Sequence, residues 1–248
     1  MQNILLYLSD IFKGDNAQIY YFLTKEKEID KEEINKSINK YETNKIKYLT
    51  LLDSEYPKDL FQDTLPPFVI YYKGNLKLLE SKKKVIICNE IHNSKTKYFI
   101  DERLNLEQND IVLVATDFKK TEQEIIDAQK TKGNHKIIWV HSQSLEQIPE
   151  AINENNPNEL HLSLFPLNSH PKRNYFKQSN SLASAIANYL LILSSVKNTK
   201  LAGLINSFLY YGKEIYCFPG LTIDDGNTNF LKEGANLATT LSEIFEEN

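Results

Sequence analysis

Residues 214–237 read EIYCFPGLTIDDGNTNFLKEGANL, in a chain that has only 8 glycines among its 248 residues. An apolar strand, Glu214 to Phe218, runs into Pro219-Gly220. Asp224-Asp225-Gly226-Asn227 and then Gly234-Ala235 follow. Glycine is used where the backbone needs positive φ or where another group must come close to it. The stretch therefore reads either as a plain strand exit or as the rim of a binding site, and its residue types alone leave both open.

The same texture recurs upstream. Apolar runs at 84–88 (KVIIC), 110–115 (DIVLVA), 136–141 (KIIWVH), 159–163 (ELHLS), 189–193 (YLLIL) and 214–218 (EIYCF) read as strands. Most are continuous rather than alternating, as expected of parallel strands covered on both faces. Trp139 in the third of these reads as core. Helical patterns lie between the strands. Thr121 and Glu124 have capping-box spacing, with Gly133 closing that helix. Leu201, Leu204, Ile205, Phe208 and Leu209 share one helical face, stopped at Gly212. The alternation predicts an α/β fold: a Rossmann-like, doubly wound, mostly parallel sheet with a small helical N-terminal appendage.

Residues 1–50 read as that helical region, including a mixed-sign charge run that suits a solvated helix face. Residues 51–82 read as an extended lead-in, with Pro66-Pro67 excluding helix and Lys73-Gly74-Asn75 turning the chain. Residues 83–248 read as the Rossmann-like domain. In such sheets ligands bind outside the carboxyl ends of the strands.

Composition narrows the function. A net charge of −4 gives no global pull on a polyanion, so a nucleic-acid site would have to be a local patch. Cys88 and Cys217 lie inside apolar runs and read as buried, reduced thiols. The N-terminus has no secretory pattern, and no apolar run approaches the roughly 18 residues that span a bilayer, so a cytoplasmic protein with no membrane partner is expected. The first core strand exits without the glycines of a dinucleotide cradle, no P-loop or nucleophile elbow occurs, and the histidines show no metal-binding pairs. No enzyme, no cofactor and no metal are expected. Asn89, Ser94, Lys95 and Lys97 suit an anion at a helix N-terminus or simply a polar surface loop.

One interval stands out. Between Glu159 and Glu214 there is no Asp or Glu, while Lys172, Arg173, Lys177, Lys197, Lys200 and Lys213 fall there with His170, Asn174, Gln178 and Asn180. Phe165, Tyr175 and Phe176 are interleaved. Cations, amides and aromatic rings together suit single-stranded nucleic acid, with its phosphates and open base faces. Buried helices could also empty such an interval of acids. Tyr175 and Phe176 are candidates for base stacking, and Phe176 equally for the core.

Three stretches resemble the DNA-processing protein A family (DprA/Smf). DSEYPKDLFQDTLPPFVIYYKGNLKLL resembles its lead-in, LSLFPLNSHPKRNYFKQSN its middle segment and YGKEIYCFPGLTIDDGNTNFLKEGANL its closing motif; order and spacing agree from about Leu51 to Leu237. The resemblance implies a Rossmann-like domain that binds single-stranded DNA in DNA uptake or recombination. It also implies loading of the recombinase RecA and work as a homodimer without catalytic turnover. The DNA contacts it suggests are Lys172, Arg173, Lys177, Asn180 and Lys200, with Ser94, Lys95 and Lys97 as a facing wall and the loop from Gly220 on the site side of the sheet. This chain departs from the family pattern at specific places. Asn89-Glu90-Ile91 stands where the family has Gly-Ser-Arg, Asn180 alone remains of an Arg-Asn-Arg loop, and NTKLAGL replaces a Ser-Gly-Ser-Leu-Ile-Thr turn. Such losses remove strong charge-assisted phosphate contacts. The alternatives are a scaffold of this fold with a protein–protein role and no DNA binding, or a small-nucleotide binder.

Overall fold

The computed structural model describes residues 1–25, 28–104, 106, 110–116, 119–132, 135–148, 156–169 and 172–245. The chain divides into two compact units, Met1–Glu80 with Trp139–Leu182, and Ser81–Ile138 with Ala183–Asn248. This division differs from the expected blocks at 50 and 82, because residues after Trp139 return to the N-terminal segment.

In the first unit, helices α1 (Gln2–Ile11), α2 (Asn16–Leu23) and α3 (Lys31–Thr43) precede strand β1 (Lys47–Thr50), so the N-terminal region is not wholly helical. β1 pairs antiparallel with β2 (Val69–Gly74), and β2 pairs antiparallel with β6 (Glu159–Ser163). Next to β6 runs β5 (Lys136–His141), giving the order β1-β2-β6-β5. Strand 159–163 runs with the parallel set as expected: His161 lies beside His141 and Ser163 beside Gln143, a parallel register with β5, and it is the lead-in strand that is reversed, with Tyr71 opposite Ser163 and Gly74 opposite Leu160. Gly74 takes φ +96, and a Cβ there would run into the backbone of Glu159, which explains the Lys-Gly-Asn turn.

The core of this unit packs Leu5, Leu6 and Leu8 of α1 and Ile19 of α2 against Tyr41, Val69 and Tyr71. The Tyr41 and Tyr71 rings stack 5.1 Å apart. The Tyr71 hydroxyl donates to Ser9 Oγ (2.8 Å) and that of Tyr41 to Asp10 (3.2 Å), so both buried phenols are satisfied. Burial pushes both phenols well above their usual pKa. Trp139 is half-buried rather than core; it stacks against His161 with the ring planes at 12°.

The second unit holds β3 (Lys84–Asn89), α4 (Ser94–Tyr98), β4 (Val112–Thr116), α5 (Lys119–Lys132), β7 (Tyr189–Ser194), α7 (Ala202–Tyr210), β8 (Ile215–Cys217), α8 (Gly226–Lys232) and β9 (Asn236–Leu237); α6 (Arg173–Ile186) begins in the first unit and ends here. The strand order is β4-β3-β7-β8-β9, and each neighbouring pair in it is parallel. Every residue of β3 and β4 is buried, as continuous apolar runs require. Together the elements form a Rossmann-like α/β fold with a mostly parallel sheet, flanking helices and helices at the N-terminus.

One helix boundary corrects the sequence reading. α5 begins at Lys119, so Thr121 lies inside it rather than at its cap, and Glu124 turns to the strand exit described below. Gly133 lies outside the described residues. α7 ends as expected: Gly212 takes φ +66, its N–H donates to Leu209 C=O, and Lys213 N–H donates to Phe208 C=O. Its buried face is narrower than the periodicity implies. Leu201, Leu204 and Phe208 are buried, whereas Leu209 is 62% exposed. Cys88 and Cys217 are buried free thiols, and burial pushes that of Cys217 up to about 12.

Candidate nucleic-acid interface

The acid-free interval supplies two sets of groups, one in each unit. In the first unit it builds α6. Tyr175 and Ser179 face inward: Tyr175 stacks on Phe165 at 3.8 Å, and Ser179 Oγ donates to His141 C=O at 3.0 Å. Phe176 and Asn180, four residues apart, and Lys177 lie outside that inner side of the helix, and Lys172 immediately precedes it. Lys172, Phe176 and Lys177 are exposed, and Asn180 is half-buried. Arg173 is the first residue of α6. Of the two stacking candidates, Tyr175 belongs to the core at 7% exposure, while Phe176 is 46% exposed. His170 lies outside the described residues.

Beside this helix is a groove of about 620 Å³, lined on one side by Lys13, Asp15 and Asn16 and on the other by Lys172, Asn174 and Tyr175. Its size is that of a small-ligand or single-nucleotide site, roughly 300–1,000 Å³. The Lys172 ammonium lies 5.6 Å from the centre of the Tyr175 ring. Asp15, the acid in the lining, caps α2: its carboxylate accepts from the N–H of Ala17 and Gln18 and from the Gln18 amide. Its charge is thereby partly offset by the helix N-terminus. The N-terminal loop was read as part of an appendage, and nothing in its sequence marks it as a groove wall.

In the second unit the exits of β3 and β7 lie side by side. From β3 the chain continues to β4 on one flank, and from β7 to β8 on the other, so this is the switch point at which open α/β sheets form their ligand crevice. Here the crevice is knitted shut. Ser194 Oγ donates to Asn89 Oδ1 (2.5 Å) and accepts from Ile91 N–H (2.9 Å). Glu90 N–H donates to Ser194 C=O (3.0 Å). The Glu90 carboxylate accepts from the N–H of Val196 (3.0 Å) with one oxygen and of Lys200 (3.2 Å) with the other. Asn89 Nδ2 donates to Glu124 (3.0 Å), which also holds His92 Nδ1 at 2.7 Å.

Ser94, Lys95 and Lys97 sit on the short helix α4, whose start is satisfied by Asn93 and Thr96 in a reciprocal capping box. All three are exposed, as is Lys200 in the loop before α7. Lys213 serves the fold instead: its ammonium donates to the C=O of Ser184, Ala185 and Ala187 at 2.6–2.8 Å, closing the end of α6.

The stretch 214–237 now has a physical reading. Asn227 Nδ2 donates to the C=O of Ile192, Leu193 and Phe218, and its Oδ1 accepts from Ser195 Oγ at 2.6 Å, so one buried amide joins the ends of β7 and β8. Gly226 is glycine because a Cβ would overlap Ser195 and Val196. Gly220 packs against Thr228 and Asp225 in the same way. Asp225 caps α8, and although burial works against its charge, the N–H of Thr228 and Thr222 and the Thr228 hydroxyl hold its carboxyl below the usual range. The motif shapes and braces the rim of the strand exits.

Among the described residues no group of acidic, histidine or cysteine side chains is arranged to hold a metal, and no helix is long and apolar enough to cross a membrane. The chain is similar to DNA processing protein DprA of Streptococcus pneumoniae, at 21% identity over 96% of this chain and 87% of that one. The X-ray structure of that organism's DprA superimposes with a TM-score of 0.73 at 18% identity, covering 100% of this chain and 98% of the other. DNA processing protein A from Helicobacter pylori, whose structure is described for its single-stranded DNA binding mode, gives a TM-score of 0.61 at 22% identity, over 81% of this chain and 95% of that one. Residues 47–248 match the family model of DNA recombination-mediator protein A, and the chain belongs to that family.

Proposed function

We propose that this protein binds single-stranded DNA and acts in DNA uptake or recombination as a mediator that loads RecA, working by binding rather than by turnover. The observation that carries this reading is the outer side of α6. It presents Phe176, Lys177 and Asn180, preceded by Lys172 and with no acid between them in sequence, while Lys172, Asn174 and Tyr175 border a groove large enough for a nucleotide. Cations set strand affinity and an exposed ring gives a base something to stack on. Family membership and the single-stranded DNA binding of the Helicobacter pylori relative support the same substrate. A homodimer fits the exposed apolar side chains Leu209, Tyr210 and Leu237 of the second unit, and light scattering of the purified chain tests it.

Fluorescence anisotropy of labelled oligo-dT against the full chain tests the main reading. Micromolar or tighter binding at low salt is expected, weakening with a log–log slope of about −0.7 for each phosphate neutralised. Absence of binding at low salt would leave the scaffold reading, which the closed β3–β7 crevice favours.

A further inference from the structure

We infer that the crevice between β3 and β7 is an anion site which this chain fills with its own Glu90 carboxylate, and that the ligand it excludes is a backbone phosphate of single-stranded DNA. This deepens the DNA-binding reading and rests on it.

The position comes first. A switch point is where the loops after neighbouring strands part to opposite flanks and leave a space above the sheet, and ligands of open α/β folds use that space. Backbone N–H groups that converge on such a space attract anions. Val196 and Lys200 direct their N–H groups to one place, and what they hold is a carboxylate. Glu90 meets one donor with each oxygen, as two oxygens of a phosphodiester would.

The surroundings suit an anion better than they suit Glu90 alone. Lys95, Lys97, Lys197 and Lys200 are exposed on the same two exits. Among the described residues none of the four is ion-paired with a carboxylate. Glu90 itself is only half-buried, and backbone N–H groups rather than lysines hold its carboxylate. The groups below it stay occupied without it: Ser194 joins Asn89 and Ile91, and Asn89 reaches Glu124. The carboxylate can therefore leave without orphaning the strand exits, and a phosphate can replace it at the same donors. While it stays, its charge repels a strand passing the crevice.

The test compares the wild-type chain with Glu90→Ser and Glu90→Gln by anisotropy of labelled oligo-dT across salt. Amide ¹H–¹⁵N shifts of Val196 and Lys200 are followed in the same samples. Serine opens the site; glutamine keeps an acceptor for the loop and removes only the charge, which covers the case of a poorly folded serine variant. Binding about tenfold tighter at low salt is expected in either variant, with a slope steeper by about 0.7 and oligo-dependent shifts at Val196 and Lys200 that the wild type lacks. Folded variants that bind no tighter than a wild type that itself binds would overturn the inference and leave the DNA reading standing. Failure of all three proteins to bind would overturn both. Binding by the variants alone would support the inference and move the DNA site from α6 to the crevice.

Discussion

The groove beside α6 and the crevice between β3 and β7 are both edged with lysines, yet they are finished in opposite ways. In the groove the one acid, Asp15, turns its carboxylate to the N-terminus of α2, and Lys172 stands over an aromatic ring. In the crevice the acid, Glu90, turns its carboxylate to the loop donors that an anion would use. Lysines at the edge therefore do not make a phosphate site by themselves; what the nearest carboxylate is bonded to decides whether the space is open. At the strand exit after β3 this chain holds a carboxylate on the loop donors, so the exposed lysines around that exit face an occupied site.

Breaking the brace between β7 and β8, beside the crevice, should have the largest effect. Asn227→Ala leaves the carbonyls of Ile192, Leu193 and Phe218 without their amide and Ser195 without its acceptor. A loss of about 3 kcal/mol is expected, read as a clear fall in urea midpoint. If the midpoint is unchanged, the ends of β7 and β8 are not held by this amide. The groove is probed next. Lys172→Ala combined with Lys177→Ala should weaken oligo-dT binding about thirtyfold at low salt, and the salt slope should fall by about 0.7 per lysine. An unchanged slope would remove α6 from the interface.

Phe176→Ala separates stacking from packing. With the ring 46% exposed, stability should move by less than about 0.5 kcal/mol. Affinity for oligo-dT should fall by about 1–2 kcal/mol, whereas a purely structural phenylalanine would show the reverse. The smallest effect concerns the rim. Asp225→Ala should cost about 1 kcal/mol through the lost cap of α8. Since its folded pKa is lowered, the unfolded chain binds the proton more readily, so its contribution is present above the unfolded carboxylate pKa. It is lost as pH falls through the folded value. Urea midpoints across mildly acidic pH should accordingly fall less steeply in the variant than in the wild type.

How much of this was legible in the sequence depended on how local the signal was. β3 and β7 could be read because strands covered on both faces must be continuously apolar. The end of α7 could be read because Gly212 needs positive φ. The reversal of the lead-in strand was not legible, because VIYYKG carries no mark of direction and only its pairing with β1 and β6 shows that it runs against both. β1 was missed in KYLT, four residues that follow a charge run and are tied to the sheet only by β2. For the site, Lys172, Lys177 and Asn180 could be picked out by charge and the absence of acids. Phe176 and Tyr175 could not be separated, since which ring turns inward is set by Phe165. Glu90 carried one signal, an acid where a phosphate cradle would need glycine, but its partners Val196 and Lys200 lie over a hundred positions away.

The central claim is that DNA uses α6 and the groove beside it and leaves the filled crevice alone. Amide hydrogen exchange of the wild-type chain with and without oligo-dT at low salt tests it most directly. Protection gained at residues 11–18 and 172–180, with the amides of Val196 and Lys200 unchanged, is the result this account predicts. Protection gained at 195–200 with none along α6 would contradict it.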